Sequence, residues 1–204
     1  MSKIAIIGAT GRAGSQLVQE TLRRGHRVTA ISRHASAAGA RTGVIACDVD
    51  ALDGVALQRA IAGHDAVFSS TRFSDIPASA IIEAVKKAGV KRLLVVGGAG
   101  SLFVAPGQRL LDTPNFPAAY KAEATAGASY LDALRKEKGV DWTFVSPSAL
   151  FFEGPRTGVF RLGHDDLLVA ADGKSSISFA DFAVAFLDEF ERPAHTRERF
   201  TVGY

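Results

Sequence analysis

Cysteine is almost absent from this chain, and acidic and basic residues nearly balance. Cys47 is the only cysteine in 204 residues, which excludes a disulfide within the chain and any cysteine-rich metal site. The formal net charge is only +3, and no basic run with interleaved aromatics occurs, so the sequence does not favour nucleic-acid binding. No histidine or carboxylate spacing is typical of a metal site, so no metal is expected.

Targeting and membrane segments are also missing from the pattern. The first apolar run begins at Ile4, which leaves no room for a signal peptide, and no run approaches membrane-spanning length. We therefore expect a cytoplasmic protein that does not contact a membrane. The length and the 47% hydrophobic content suit one globular domain over residues 1–204.

The most informative stretch is glycine-rich and lies near the start. An apolar run at residues 4–7 leads into Gly8, Gly11 and Gly14, and a helical pattern follows at once. A strand, a glycine turn and a helix in this order form the arrangement that binds a dinucleotide pyrophosphate. The spacing differs from the commoner G-x-G-x-x-G, and a glycine turn that only packs is the alternative. The expected cofactor contacts in this stretch are Gly8, Thr10, Gly11, Arg12, Ala13 and Gly14.

Apolar runs and helical patterns alternate along the chain. This alternation predicts an α/β fold with a Rossmann-type, doubly wound parallel sheet of order 3-2-1-4-5-6, with room for one more strand. Helices are expected on both faces, with a small C-terminal extension. The six predicted strands are 4–7, 27–31, 44–47, 66–69, 92–96 and 142–145, and the predicted helices are 11–24, 53–62, 77–88, 117–138 and 179–190.

The pattern loosens after Pro147. Residues 148–166 are predicted to be a loop, and two further strands are predicted at 167–170 and 199–202. Ligands of open α/β sheets bind outside the carboxyl ends of the strands. The segments at about 98–117 and 148–170 follow such ends, so we expect them to face the substrate.

The end of the second strand indicates which cofactor is preferred. NAD-binding turns place an Asp or Glu there to accept from the ribose, whereas this strand ends in Ser32 and Arg33. Arg33 is suited to a 2′-phosphate, with help from the Ser32 hydroxyl and from Arg12 on the other side. Either arginine alone is equally consistent with a solvated surface charge. Taken together, these residues favour NADP(H) over NAD(H).

Other residues that follow strands are candidates for the same site. Asp48 has two readings of equal weight: it accepts from the adenine amine while Val49 packs on the ring, or it only caps a turn. The small residues after the fourth and fifth strands suit a backbone that passes close to a ligand. These are Ser69, Ser70, Thr71, Gly97 and Gly98.

Several of these motifs together resemble a known group. The chain is similar to the atypical short-chain dehydrogenase/reductases, and within them to NAD(P)H-binding, NmrA-like proteins that include flavin reductase-like and biliverdin-IXβ reductase-like enzymes. The resemblance covers essentially the whole chain and is more specific for the cofactor than for the substrate. It rests on residues 4–14, 32–33, 47–49, 95–102, 141–147 and 177–183.

The catalytic motif departs from that group. Ordinary members carry Tyr-x-x-x-Lys, but Tyr120 is followed by Ala124, and Lys121 projects about 100° around the helix from Tyr120. Ser101 falls where the resemblance implies a serine near the nicotinamide, with a simple turn residue as the alternative. Tyr120 is a candidate proton donor or stacking residue, with an ordinary surface or core tyrosine as the alternative.

These features predict an NADPH-dependent oxidoreductase. Hydride would pass to a planar acceptor such as a flavin or a quinone, which needs little acid catalysis. An NADP-binding redox sensor without turnover is the alternative, and the missing motif disfavours a nucleotide-sugar epimerase or dehydratase. The expected partner is this small molecule, and the protein is expected to be a monomer or homodimer.

Overall fold

A computed structural model describes residues 1–39 and 41–204 and contains one large sheet with two small ones. The apolar runs at the centre of the large sheet form strands whose residues are mostly buried under helices. The strands are β1 (Lys3–Ile7), β2 (Arg27–Ser32), β3 (Val44–Asp48), β4 (Ala66–Ser69), β5 (Arg92–Val96), β6 (Phe103–Ala105), β7 (Gln108–Arg109), β8 (Asp141–Pro147), β9 (Leu150–Phe152), β10 (Arg161–Gly163), β11 (Ser176–Ser178) and β12 (Glu198–Gly203).

The large sheet has the order β3-β2-β1-β4-β5-β8-β12-β10. Every neighbouring pair is parallel except β10 and β12, which run antiparallel. The predicted sixth strand is β8, so the predicted Rossmann order is confirmed. Two strands, rather than one, extend the sheet beyond β8.

In the part of the chain that the structure describes, five α-helices cover the sheet: α1 (Arg12–Arg23), α2 (Gly54–Ile61), α3 (Ala78–Lys87), α4 (Ala118–Lys136) and α5 (Phe179–Glu191). Helix α1 packs against α5 on one face, while α2 packs on α3 and α3 on α4 on the other face. The prediction of helices on both faces is therefore confirmed. None of the helices in the described part of the chain is long and apolar enough to cross a membrane.

Side chains that alternate along the central strands pack into two separate hydrophobic cores, one on each face of the sheet. In β1, Ile4 and Ile6 contribute to the core under α1 and α5, whereas Ala5 and Ile7 contribute to the core under α2, α3 and α4. A strand that is apolar at every position is required because both faces are covered. This packing fixes the carboxyl ends of the parallel strands at one edge of the sheet.

The region after Pro147 corrects two predictions. Residues 167–170 form no strand, and the predicted loop at 148–166 contains β9 and β10. β9 pairs with β11 in a small parallel sheet, and β10 joins the edge of the large sheet. These strands are three residues long, too short for an alternating pattern to reveal them. The hairpin of β6 and β7 was missed for the same reason.

Candidate functional site

The glycine turn between β1 and α1 is shaped by two close backbone approaches. A Cβ on Gly8, whose φ is +78°, would lie 2.8 Å from the carbonyl carbon of Ser70. A Cβ on Gly14 would overlap the carbonyl oxygen of Gly8 and lie 2.9 Å from its carbon. Only glycine at both positions allows the turn to touch the segment after β4 and allows α1 to touch β1.

The amino end of α1 is an open site for an anion. Gly11 is the N-cap residue and provides no side-chain cap, and the first turn contains no acidic residue. Within residues 1–39 and 41–204, the N–H groups of Arg12, Ala13 and Gly14 have no hydrogen-bond acceptor. Free N–H groups at a helix start fit a pyrophosphate, so the observed turn fits a dinucleotide.

A cleft of about 360 Å³ extends from this turn toward the end of β2. The Oγ atom of Ser32 is buried beside it and has no partner in the described part of the chain, as expected of a group that awaits a ligand. The two carboxylates that line the cleft accept hydrogen bonds from their neighbours: Asp50 from the Leu52 N–H and Asp75 from the Ser74 hydroxyl. Residues lining the cleft include Gly8, Thr10, Gly11, Ser32, Arg33, His34, Val49, Asp50, Ser70, Thr71 and Asp75.

The side chains of Asp48 and Arg12, both predicted to contact the cofactor, contact other parts of the protein. The Asp48 carboxylate accepts from the Ser36 N–H at 2.8 Å and from its hydroxyl, and these bonds hold the pKa of Asp48 below its usual range. Asp48 thus fixes the short turn that follows Arg33. The Arg12 guanidinium lies 5.5 Å from the ring centre of Phe179 on α5. The structure therefore brings Arg33, but not Arg12, beside Ser32.

A second cleft, of about 570 Å³, opens beyond β5 and β8. The cleft begins at Gly97 and Gly98. The Gly97 N–H donates to Val145 O at 2.8 Å, and a side chain on Gly97 would collide with this oxygen and with the ring of Phe144. Most of the wall is apolar. Residues lining the cleft include Phe73, Gly97, Gly98, Ser101, Leu110, Phe116, Tyr120, Glu123, Ala124, Pro147, Ala149 and Phe151.

Both candidate catalytic residues border this second cleft. Ser101 Oγ accepts a hydrogen bond of 3.3 Å from Arg199, a buried residue that the sequence reasoning missed. Tyr120 is 67% exposed at the start of α4. The position four residues later, where the usual lysine would lie, is Ala124, which packs against Gly100. Lys121 instead donates to the carbonyl of Leu111.

Glu123 links the two clefts and was also missed. Its carboxylate accepts from the backbone N–H of Phe73 at 2.7 Å and from that of Ser74 at 3.0 Å. This anchors residues 70–74 to α4, so that Ser70 and Thr71 border the first cleft and Phe73 the second. An elongated ligand can span both clefts along this segment. The sequence offered no signal, since Glu123 is an ordinary helical residue 49 positions from Ser74.

Within residues 1–39 and 41–204, no group of three or more His, Cys, Asp or Glu side chains is arranged to hold a metal ion. The half-buried Cys47 lies on the edge strand β3 and is a free thiol. The polar groups that line the two clefts include hydroxyls, Arg33 and the carboxylates of Asp50, Asp75 and Glu123.

Comparison with known proteins agrees with this geometry. Residues 8–190 match the NAD(P)H-binding family. The uncharacterised protein YwnB of Bacillus subtilis is 43% identical, with 98% of this chain and 97% of YwnB covered. A candidate exported protein of Burkholderia pseudomallei has a structure with a TM-score of 0.90 and 44% identity, and both chains are fully covered.

Two further solved structures carry functional names. A candidate epimerase of Bacteroides thetaiotaomicron is 42% identical with a TM-score of 0.94, covering 100% of this chain and 97% of that one. A candidate NADH-flavin reductase of Streptococcus pneumoniae is 36% identical with a TM-score of 0.86, covering 100% and 99%. These likenesses span the whole fold and both clefts. The chain therefore belongs to the NAD(P)H-binding family, within the atypical short-chain dehydrogenase/reductase and NmrA-like group.

Proposed function

We propose that this protein is an NADPH-dependent reductase of a flat acceptor such as a flavin or a quinone. The observation that carries the proposal is the apolar cleft beside the glycine turn of β5, which continues from the dinucleotide cleft past Phe73. When bound, the reduced cofactor would supply a hydride, and solvent would supply the proton that completes reduction of the acceptor. The name of the Streptococcus pneumoniae relative supports reduction of a flavin, although it gives NADH as the cofactor.

The residues would divide the work between binding and positioning. The α1 N–H groups would hold the pyrophosphate, and Ser32 with Arg33 would hold the 2′-phosphate. Apolar walls would orient the acceptor and exclude water, while Ser101 and Tyr120 would contact it at the mouth of the cleft. Rate enhancement would then come from orientation more than from acid catalysis.

Acceptor reduction is tested directly with the purified protein. Oxidation of NADPH should be followed with FMN, FAD and a small quinone as separate acceptors, and products should be identified. Turnover with at least one of them is expected, and Ser101→Ala should lower kcat without weakening NADPH binding. Tight binding of NADP and NADPH with no turnover on this panel would refute the proposed reductase.

The cofactor preference is tested by removing the arginine at the end of β2. Arg33→Ala should weaken NADPH binding roughly 10- to 150-fold, the equivalent of about 1.5–3 kcal/mol for a lost charge-assisted bond, and should leave NADH almost unchanged. Arg59→Ala, which removes an exposed charge from α2, is the matched control. Equal losses for both cofactors would contradict the role in 2′-phosphate binding. Arg12→Ala measures the contribution of Arg12 to NADPH binding separately from that of Arg33.

Two other functions remain as rivals to the reductase. A redox sensor that binds NADP without turnover is favoured by Ala124, which stands where the superfamily places its catalytic lysine. Epimerase chemistry is suggested by the name of the Bacteroides thetaiotaomicron relative, although the same missing lysine weighs against it. Nicotinamide redox change during the acceptor assay distinguishes the reductase from both.

The cellular location and the oligomeric state of the protein are also proposals. We propose a cytoplasmic location for the reductase and a monomeric or homodimeric state. The description of the Burkholderia pseudomallei relative as exported is the opposing observation. Cell fractionation with an antibody against the protein, together with light scattering, distinguishes these outcomes.

A further inference from the structure

Arg199 is a charged side chain inside the protein, directly behind the wall of the second cleft. It lies on β12 with only 2% of its side chain exposed. Its Nη1 atom donates to Ser101 Oγ at 3.3 Å and to Ser146 Oγ at 3.5 Å, and its Nε atom donates to Asp165 at 2.6 Å. A fully buried arginine is expensive to keep, so its placement behind Ser101 calls for a reason.

We propose that Arg199 is a positioning residue that fixes Ser101 as a hydrogen-bond donor aimed into the cleft, where it stabilises negative charge on the bound acceptor. The inference deepens the proposed reductase function and rests on it. It assigns the acceptor to a class: a flat molecule whose conjugated oxygen or nitrogen becomes negative when its ring is reduced.

The direction of the Ser101 hydroxyl follows from hydrogen-bond chemistry. A guanidinium has five N–H donors and no acceptor, so Ser101 Oγ can only accept from Arg199. The hydroxyl proton then points away from Arg199, and no acceptor for it lies among residues 1–39 and 41–204. Ser101 also lines the cleft. A ligand atom with a lone pair is the partner that this geometry leaves open.

The charge behind the serine adds to the effect. Arg199 is neutralised on its far side by Asp165, a carboxylate that is 50% exposed and that also lies 3.8 Å from Arg135. Burial lowers the pKa of Arg199, yet a guanidinium keeps its charge in a folded protein. A fixed donor with a positive charge behind it stabilises developing negative charge without reorganisation at the moment of reaction.

The rival explanation is that Arg199 only ties the 165 region to the sheet. This explanation and our proposal differ in what they predict for binding of anions. We would use two probes in the presence of NADP. One is a naphthoquinone, which is neutral, and the other is its hydroxy derivative, which ionises to an anion. The wild-type protein should prefer the anion and should lower the pKa of the bound hydroxyquinone, which its visible absorption reports.

Four single variants and one double variant are needed for the test. Ser101→Ala and Arg199→Gln should each reduce the anion preference about 10-fold, and the double variant should lose no more than either one, because the two residues act in series. Arg199→Lys should restore part of the preference, and Asp165→Asn, which keeps the guanidinium, should retain it. Binding of NADPH and the melting temperature are measured alongside.

Each outcome decides the matter. A wild-type preference in Ser101→Ala, or additive losses in the double variant, would overturn the proposal even if Arg199→Gln fails to fold. Loss of the preference in Asp165→Asn with an intact fold would favour the tie to the sheet and also overturn it. Because the probes report binding and not turnover, an absence of reductase activity leaves this test readable and instead counts against the proposed function.

Discussion

At the scale of single residues, the absence of side chains is as informative as their presence. The Gly14 position permits contact between α1 and the Gly8 carbonyl, and nearby Ala9 would lie 3.1 Å from a Cβ there. The neighbours are backbone atoms, which cannot rotate away as a side chain can. An added methyl group must therefore push the helix off the strand.

Gly14→Ala is expected to destabilise the fold by about 1–3 kcal/mol, as overpacking does, and to weaken cofactor binding because the α1 N–H groups move. Urea unfolding and a binding titration with NADPH measure the two effects. Gly54→Ala is the control, since a Cβ there meets nothing within 4 Å and the residue begins a helix. It should be neutral or stabilising by up to about 1 kcal/mol. Similar losses in both variants would refute the packing argument.

The two arginines show that residue type alone does not predict where a side chain points. Sequence reasoning assigned Arg12 and Arg33 to one phosphate, yet the Arg12 side chain lies over Phe179. Side-chain direction depends on which neighbouring helix provides a surface, and α5 is more than 160 residues away in the chain. The role of Asp48 toward adenine likewise stays a prediction, since Ser36 occupies its carboxylate.

At the scale of elements, α1 and α5 are joined by a network of ions as well as by apolar packing. Glu20 is buried and accepts from Arg24 at 3.0 Å and from Arg156 at 2.8 Å, while Arg24 also contacts Asp188 on α5 at 2.7 Å. The hydrogen bond from Arg156 is the main cause that holds the pKa of Glu20 below its ordinary value of 4.5. The network fastens the segment after β9 onto α1.

The network makes a prediction about acid stability. A carboxylate whose pKa is lower in the folded state contributes stability that is complete above its unfolded pKa, near 4.5, and that is lost as pH falls through the lower folded pKa. Glu20→Gln should therefore cost about 1.5–3 kcal/mol at pH 7. The difference from the wild type should shrink below pH 4.5. Urea unfolding at pH 7 and at pH 3.5 measures both.

An exposed carboxylate provides the contrast. Glu83 on α3 pairs with Lys87 at 3.4 Å, and both side chains are more than 60% exposed. Glu83→Gln should change stability by less than about 0.5 kcal/mol. A penalty for Glu20→Gln that stays constant across the pH range would contradict the assigned role of the network.

At the scale of the whole molecule, the site is built from chain segments that the sheet brings to one edge. The glycine turn after β1, the ends of β2 and β4, the turn after β5 and the first turns of α4 all border the two clefts. A ligand bound along this edge contacts segments from residue 8 to residue 151. Binding should therefore stabilise the fold as a unit.

NADPH at 100 times its dissociation constant should stabilise the folded state by about 2.7 kcal/mol. For a chain of this size, this corresponds to a rise in Tm of roughly 5–10 °C. Differential scanning fluorimetry with NADPH and with equal concentrations of NADH measures the effect, and a smaller rise is expected with NADH. An equal rise with both would count against the preference for the phosphorylated cofactor.

The regular elements were predictable because their patterns are long. Strands β4 and β5 have the predicted bounds, and the predicted helix at 53–62 is α2, which Asp53 caps through bonds to the N–H groups of Val55 and Ala56. The short strands after Pro147 were not predictable, since three residues do not define a period. The predicted strand at 167–170 was wrong, because the chain there makes only an isolated bridge from Asp166 to Phe103 and Val169 is 45% exposed.

The amino-acid sequence by itself determined the Rossmann order, the glycine turn and the cofactor family, because these depend on local spacing and on hydrophobic periods. Only the tertiary structure decided which polar groups meet at the second cleft. Arg199 and Ser101 are 98 residues apart, and Glu123 and Phe73 are 50 apart. These contacts join segments that are far apart in the chain, which no local pattern encodes, and Ser101, Glu123 and Phe73 all line the second cleft.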